Sequence, residues 1–369
     1  ALAAGATLWR ACGLTPAQQA ALRQPQPRSL DASRAWLDHP DHHLLGWHHP
    51  DYPPLLRRSP HPPLALFIAG DPSLAWHPAV AIVGSRSPTP AGREHAAAFA
   101  RALSATGLAI ASGLAAGVDT AAHHATLAAG GRTLAVLGTG PDVPYPRSNT
   151  ALHASIVAQG AIISEHLPGT GPRREHFPSR NRILAGLSLG TLVVEAAHRS
   201  GALITARLAA ECGREVMALP GSIDNPLARG CHRLIRDGAA LVEHPDEVVA
   251  LLAPLAGPLA GDLRARLAAP TSEVAPPGRT RRPRPPRRPD THESAPRPPT
   301  PLPPATGGPP AHTDPDHNTL WQALGSDPTD MDQLVARTGL TPARLSSILL
   351  LMELEGRVEA QHGRYHRSR

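Results

Sequence analysis

Between residues 79 and 243 the chain alternates short, wholly apolar runs with alanine-rich stretches, and this alternation leaves few folds open. The runs are VAIVG (80–84), LAIAS (108–112), TLAVLG (133–138), AIIS (161–164), TLVVE (191–195), EVMALP (215–220) and AALVE (239–243). A strand with one wet face would alternate polar and apolar residues; these do not, so both faces are expected to be covered. Helical signals separate the runs. Thr89-Pro90 opens one helix and Gly107 ends it, while Gly130-Gly131, Gly160 and Gly213 end others. Strands in series with intervening helices predict a doubly wound α/β domain. Its sheet is mostly parallel and Rossmann-like, with ligands beyond the carboxyl ends of the strands.

Outside this stretch the pattern changes. Residues 1–75 are rich in His and Pro. They read as a small helical N-terminal domain, with Thr15 capping a helix that starts at Pro16, followed by the extended connector DYPPLLRRSPHPPLALFIAG. The α/β domain is assigned to 76–255. Residues 256–316 carry the block RTRRPRPPRRP and predict a stiff, disordered Pro/Arg-rich linker. In 317–369, LWQALG, MDQLVARTG and TPARLSSILLLMELEG precede RVEAQHGRYHR, predicting three short helices and a hairpin, a small winged helix.

Composition removes several chemistries. All 36 basic residues are Arg, so there is no P-loop lysine, no Schiff-base lysine and no kinase strand lysine. The net charge of +6 is no general signal for nucleic acid. Seven Arg against Asp290 and Glu293 put a net +5 between Arg279 and Arg297 alone, so a local cluster has to carry that argument. Cys12, Cys212 and Cys231 lie far apart without CxxC spacing, which points away from disulfides and structural zinc and towards the cytoplasm. The apolar run Val248–Gly261 is interrupted by Pro254, Gly257 and Pro258, and no membrane span is expected from it.

The stretch HFPSRNRILAGLS (176–188) poses a question. With Ser179 as N-cap, Arg180 and Arg182 crowd the first turn of a helix, and Arg173 and Arg174 precede it. A helix N-terminus already carries about half a positive charge, so cations there are unfavourable unless water or an anion compensates. The first strand–helix turn, GSRSPTPAG, lacks GxGxxG and offers Arg86 instead, either an anion ligand or a solvated loop residue. In SGLAAGVDTAAH, Asp119 reads as a helix cap, and His123 and His124 as packing or surface residues without a third metal ligand. Tyr145 could wall a pocket. Glu195 at a strand end reads as a carboxylate capping amides or anchoring an Arg rather than as a general base. Phe177 in a polar loop is either a base-stacking ring or a staple packed on its own helix.

In order, VGSR (83–86), SGLAAGVDTAAH (112–123), the 138–149 loop, ISEHLPGT (163–170), FPSRNRILAGLS (177–188), VVEAAHRSGALITA (193–206), ALPGSI (218–223) and GCHRLIRDGA (230–239) resemble the DNA-processing protein A (DprA/Smf) family. The resemblance spans about residues 45–250 and implies the same three-domain order. It also implies a homodimer that binds single-stranded DNA, protects it and loads the RecA recombinase during natural transformation, with no cofactor and no established catalysis. Carried over by motif, the implied DNA contacts are Gly84, Ser85 and Arg86, then Phe177, Arg180, Asn181 and Arg182. The basic residue just upstream, often Lys in the family, is Arg174 or Arg173 here. Ala202 stands where Ser is common. The rival reading, a nucleotide phosphoribohydrolase, rests on the weak echo GLSLGTLVVE (186–195). A second rival, a duplex-DNA regulator, is disfavoured because helix 342–354 carries only Arg344 as a cation, and a protein partner suits that module better.

Overall fold

The computed structural model describes residues 5–24, 27–268, 315–325, 327–355, 357–361 and 364–367. Most of the expected Pro/Arg linker, 269–314, lies outside the described residues. Nine strands form the main sheet: β1 (His42–Gly46), β2 (Ala65–Gly70), β3 (Ala79–Val83), β4 (Ala109–Ser112), β5 (Thr133–Leu137), β6 (Ala161–Ser164), β7 (Gly190–Val193), β8 (Glu215–Ala218) and β9 (Ala240–Leu241). Their order is β1-β2-β6-β5-β4-β3-β7-β8-β9. Strands β3 to β9 pair in parallel, as with Val80 opposite Gly190 and Ile110 opposite Thr133. From β3 the chain runs outward through β4, β5 and β6, then returns to lay β7 on the other side of β3. The crevice of this doubly wound sheet therefore opens beside β3.

The helices are α1 (Gly5–Ala11), α2 (Pro16–Arg23), α3 (Pro27–Leu37), α4 (Pro54–Arg57), α5 (Pro90–Ala105), α6 (Val118–Ala128), α7 (Thr150–Gln159), α8 (His176–Leu187), α9 (Gly201–Glu211), α10 (Arg229–Arg236) and α11 (Pro245–Ala268). Both sheet faces are covered, as the unbroken apolar strands require. On β3, Val80 and Ile82 join the cluster of Phe99, Leu103 and Leu252, while Ala81 and Val83 join Ile183, Leu184 and Leu187. Helix α2 starts as its signals dictate: Thr15 accepts from the Gln18 amide and Gln18 Oε1 from the Thr15 amide, a complete capping box.

Two expectations are corrected. The connector expected over 51–70 and residues 42–46 before it are part of the α/β domain, because β1 and β2 join the sheet antiparallel, Leu45 facing Leu66 and Phe67 facing Ser164. Apolar Leu66, Phe67 and Ile68 extend the core there, which the surrounding prolines mask in the sequence. Likewise residues 256–268, expected to open the disordered linker, continue α11, with Pro254 and Pro258 inside the helix. Val248, Leu252, Leu259 and Leu263 hold one side of that helix against the protein, which offsets the backbone donors that proline lacks. Over Pro245–Arg266 the helix is long and apolar enough to cross a membrane, with a mean hydropathy of 1.4.

The C-terminal unit comprises α12 (Pro315–Ala323), α13 (Met331–Thr338) and α14 (Pro342–Leu354), with β10 (Thr329–Asp330), β11 (Val358–Gln361) and β12 (Arg364–Arg367) in the order β10-β12-β11. Leu320, Leu334, Leu345, Leu349 and Met352 form its core, giving the winged helix expected from sequence. Arg337 of α13 makes a two-pronged ion pair with Glu94 of α5, at 2.7 and 2.8 Å.

His123 is a core residue. Its Nδ1 lies 2.7 Å from Thr133 Oγ1, and burial, with His124 and Arg180 adding to it, pulls its pKa down to about 3. In the unfolded chain the imidazole titrates near about 6.5. Below that pH only the unfolded state takes up the proton, so stability is complete above about 6.5 and falls by about 1.4 kcal/mol per pH unit towards pH 3. Denaturant unfolding of wild type and His123→Leu should therefore diverge: between pH 7 and pH 5 the wild type should lose about 2 kcal/mol more than the variant. Parallel losses would remove His123 as the acid-sensitive group.

Candidate functional site

A cavity of about 710 Å³ opens at the carboxyl ends of β3, β4, β5 and β7, where doubly wound sheets bind ligands. Gly84 and Arg86 reach it after β3, Gly113 and Ala115 after β4, and Tyr145 from the loop after β5. Arg174, Phe177, Pro178 and Asn181 come from α8 and its approach, and Arg199, Ser200, Gly201 and Ala202 from the start of α9. Arg86, Arg174 and Arg199 are exposed. Among the described residues no ion pair ties any of the three to a carboxylate. Helix α9 enters through Ser200, whose Oγ accepts from the Ala202 amide, so the positive end of an 11-residue helix also opens into the cavity.

The inner wall is a closed set of hydrogen bonds. Asp119 is buried in the first turn of α6 and accepts from the amides of Gly113 (3.0 Å) and Ala115 (3.2 Å). It braces the loop before its own helix rather than capping that helix, whose N-cap is Gly117. Between those amides Leu114 adopts φ +57°, a left-handed conformation that a non-glycine residue takes only when its surroundings enforce it. Asn149 Nδ2 donates to Leu114 O, and Thr120 Oγ1 to Ala115 O, so the loop's polar groups are taken. Beside Asp119 lies the Arg180 guanidinium, only 5% exposed, donating to Gly113 O at 2.7 Å and to Val136 O. Burial drives Arg180 down to about 10 and Asp119 up, each opposed by the other's charge. Gly113 has no substitute here, because a Cβ would stand 2.5 Å from the guanidinium.

The structure sorts the residues singled out from sequence. Gly84, Arg86, Arg174, Phe177, Arg180 and Asn181 line one cavity. Ser85 lies beneath it as a turn former, its carbonyl accepting from Val118 and its Oγ from Ser87. Arg182 pairs with Glu165, and exposed Arg173 is outside the lining. Ser179 is not an N-cap. Helix α8 begins at His176, which moves Arg180 and Arg182 into its second turn. Arg180 is thus met by two backbone carbonyls and Asn181 Oδ1, with the charge of Asp119 acting on it from nearby, and Arg182 by Glu165, so neither requires an anion. Arg199 went unnoticed in sequence, although it immediately precedes the Ser200 cap.

Phe177 is half-buried within α8, with its ring 5.1 Å from that of the 41%-exposed Tyr145. It packs across to another loop, and the two rings border the cavity. Glu195 is sealed away from it: its oxygens accept from Thr89 N, Thr89 Oγ1 and Asn225 Nδ2, anchoring the start of α5. The cavity's one carboxylate is therefore Asp119, buried and already accepting from two amides. His123 packs in the core and His124 is at the surface. Among the described residues no group of three His, Cys, Asp or Glu is arranged to hold a metal.

Comparison with known proteins matches residues 43–253 to the family of DNA recombination-mediator protein A, and residues 295–364 to the DprA winged helix domain. Protein Smf of Escherichia coli is 44% identical over 238 residues, which are 64% of each chain, so the match spans just under two thirds of that relative's length. The X-ray structure of DNA processing protein A from Streptococcus pneumoniae superposes with a TM-score of 0.59 at 42% identity, covering 64% of this chain and 82% of that one. The DNA processing protein A of Helicobacter pylori, solved to describe its single-stranded DNA binding mode, superposes with a TM-score of 0.53 at 29% identity, covering 58% and 97%. With its α/β domain matched throughout and its winged helix recognised as well, this chain belongs to the DNA recombination-mediator protein A family.

Proposed function

We propose that the protein is a single-stranded DNA-binding recombination mediator and that the cavity beside β3 grips the strand. The observation that carries this reading is the pairing of three uncompensated arginines with two rings on one rim. Arg86, Arg174 and Arg199 supply phosphate contacts, and Phe177 with Tyr145 supplies a stacking surface that any base can use. The α9 N-terminus adds a dipole of the same sign. Relatedness to the Helicobacter pylori protein, whose single-stranded DNA binding has been described structurally, supports the same ligand class. Homodimer formation, protection of incoming DNA, loading of RecA and a role in transformation in the cytoplasm rest on the family resemblance.

The phosphoribohydrolase alternative fares poorly on geometry. Cleaving an N-glycosidic bond needs a carboxylate near the ribose with a free oxygen. Glu195 is enclosed, and Asp119 is buried with its Oδ2 held by two amides. A duplex-reading winged helix is also poorly supported, since Arg344, the single cation of α14, is held by Asp316 at 2.8 Å.

A gel-shift with single- and double-stranded oligonucleotides, without nucleotide cofactor, tests the assignment. The single strand should bind more tightly, and equal affinity for duplex would overturn the reading. Within the cavity, arginines and ring should fail differently. Arg86→Ala or Arg174→Ala should each reduce the log–log salt slope by about 0.7, the loss of one phosphate contact on single strands. Phe177→Ala should leave the slope unchanged and weaken binding by about 5- to 150-fold, the range for losing one stacked base, with Phe177→Trp restoring most of it. A Phe177→Ala protein that melts earlier yet binds normally in the cold would assign the ring to packing alone.

A further inference from the structure

Arg86 borders two cavities. Besides the one at the strand ends, it closes one end of a groove of about 490 Å³ running between α5 and α6. The floor is formed by small residues, among them Ala97 and Ala121, and the sides carry Arg93, Arg101 and His124. Arg93 and Arg101 lie on α5 eight residues apart, with Ala97 midway. They therefore share one helix face and stand about 12 Å apart along the axis. Both are exposed, and among the described residues neither has a carboxylate partner.

The acidic residues of the two helices are turned to other tasks. Glu94, the one acid of α5, is held by Arg337 of the winged helix. Asp119, the one acid of α6, is buried against Gly113 and Ala115. The groove is thus a line of positive charge with a shallow floor that begins where the first cavity ends. Its lining has no Phe, Tyr or Trp, and its one ring is the exposed imidazole of His124, so it suits a phosphate backbone better than a row of stacked bases.

We infer that the α5–α6 groove is a second, backbone-only subsite: a nucleic-acid strand held in the first cavity continues past Arg86 and lays its phosphates against Arg93 and Arg101. This rests on the reading of the first cavity as a single-stranded DNA site. The path would lengthen the footprint without adding base preference, since the paired Phe177 and Tyr145 rings lie in the first cavity.

Fluorescence anisotropy with two oligothymidylates, one of about six residues and one of about twenty, tests the inference, because short and long strands sample one or both subsites. The variant is Arg93→Ala with Arg101→Ala, which keeps a strong helix former at exposed positions. The longer strand should bind about five- to thirtyfold more weakly, as for the loss of two exposed charge contacts, and its salt slope should fall by about 1.4. Affinity for the short strand should be unchanged, whereas Arg86→Ala weakens both. Unchanged binding of both lengths by the double variant would overturn the groove assignment and leave the first cavity standing. Equal weakening of both lengths would also overturn it, because the groove would then not be an extension. Failure of the first-cavity reading looks different: Phe177→Ala and Arg86→Ala would leave the short strand's affinity intact.

Discussion

The guanidinium of Arg180 fixes the geometry on which the candidate site depends. It reaches from α8 to the carbonyl groups at the ends of β4 and β5, and its charge acts on buried Asp119, which in turn holds the amides of the loop after β4. The positions of a helix, two strand ends and a loop are thereby set by one cation. Hydrogen bonds to a charged group contribute about 1.5–3 kcal/mol each, and a buried charge stripped of its partner costs more than the pair contributes. Gly113 must lack a side chain to let the guanidinium approach, and Leu114 is held at positive φ by the same bonds. The wall of the cavity is braced by hydrogen bonds among its own polar groups.

A chain whose 36 basic residues are all arginine asks one side chain to do opposite jobs. The guanidinium of Arg180 serves backbone carbonyls in the interior, while the same group on Arg86, Arg174 and Arg199 remains turned to solvent, where it can meet phosphate. Burial and the nearest acceptor decide which job each performs. Arg182 is an intermediate case, partly exposed and paired with Glu165.

That division explains how far the sequence could be read. The parallel strands were legible because each is apolar throughout, and the winged helix because its helices carry Thr341-Pro342, Gly339 and periodic leucines. Strands β1 and β2 were not, since they pair antiparallel across a stretch crowded with proline, and their partner β6 lies far along the chain. The prolines of α11 misled in the same way, their cost being met by tertiary burial that local rules do not register. In the site, the cluster around FPSRNR was visible, but the sorting of its arginines was not. Gly113 and Val136, which receive Arg180, are 67 and 44 residues away, and no spacing rule connects them. Arg199 escaped notice because a lone arginine before a helix cap resembles any solvated residue until the fold brings Arg86 and Arg174 beside it.

The central claim is that Arg180 builds the wall while the exposed arginines carry the phosphates, and the Arg180→Gln protein tests it most directly. Its melting temperature and the salt dependence of its affinity for single-stranded DNA should be measured together. The account predicts a lower melting temperature and, in the cold where the variant stays folded, a salt slope equal to that of the wild type. An unchanged melting temperature with a slope reduced by about 0.7 would make Arg180 a phosphate ligand and contradict the account.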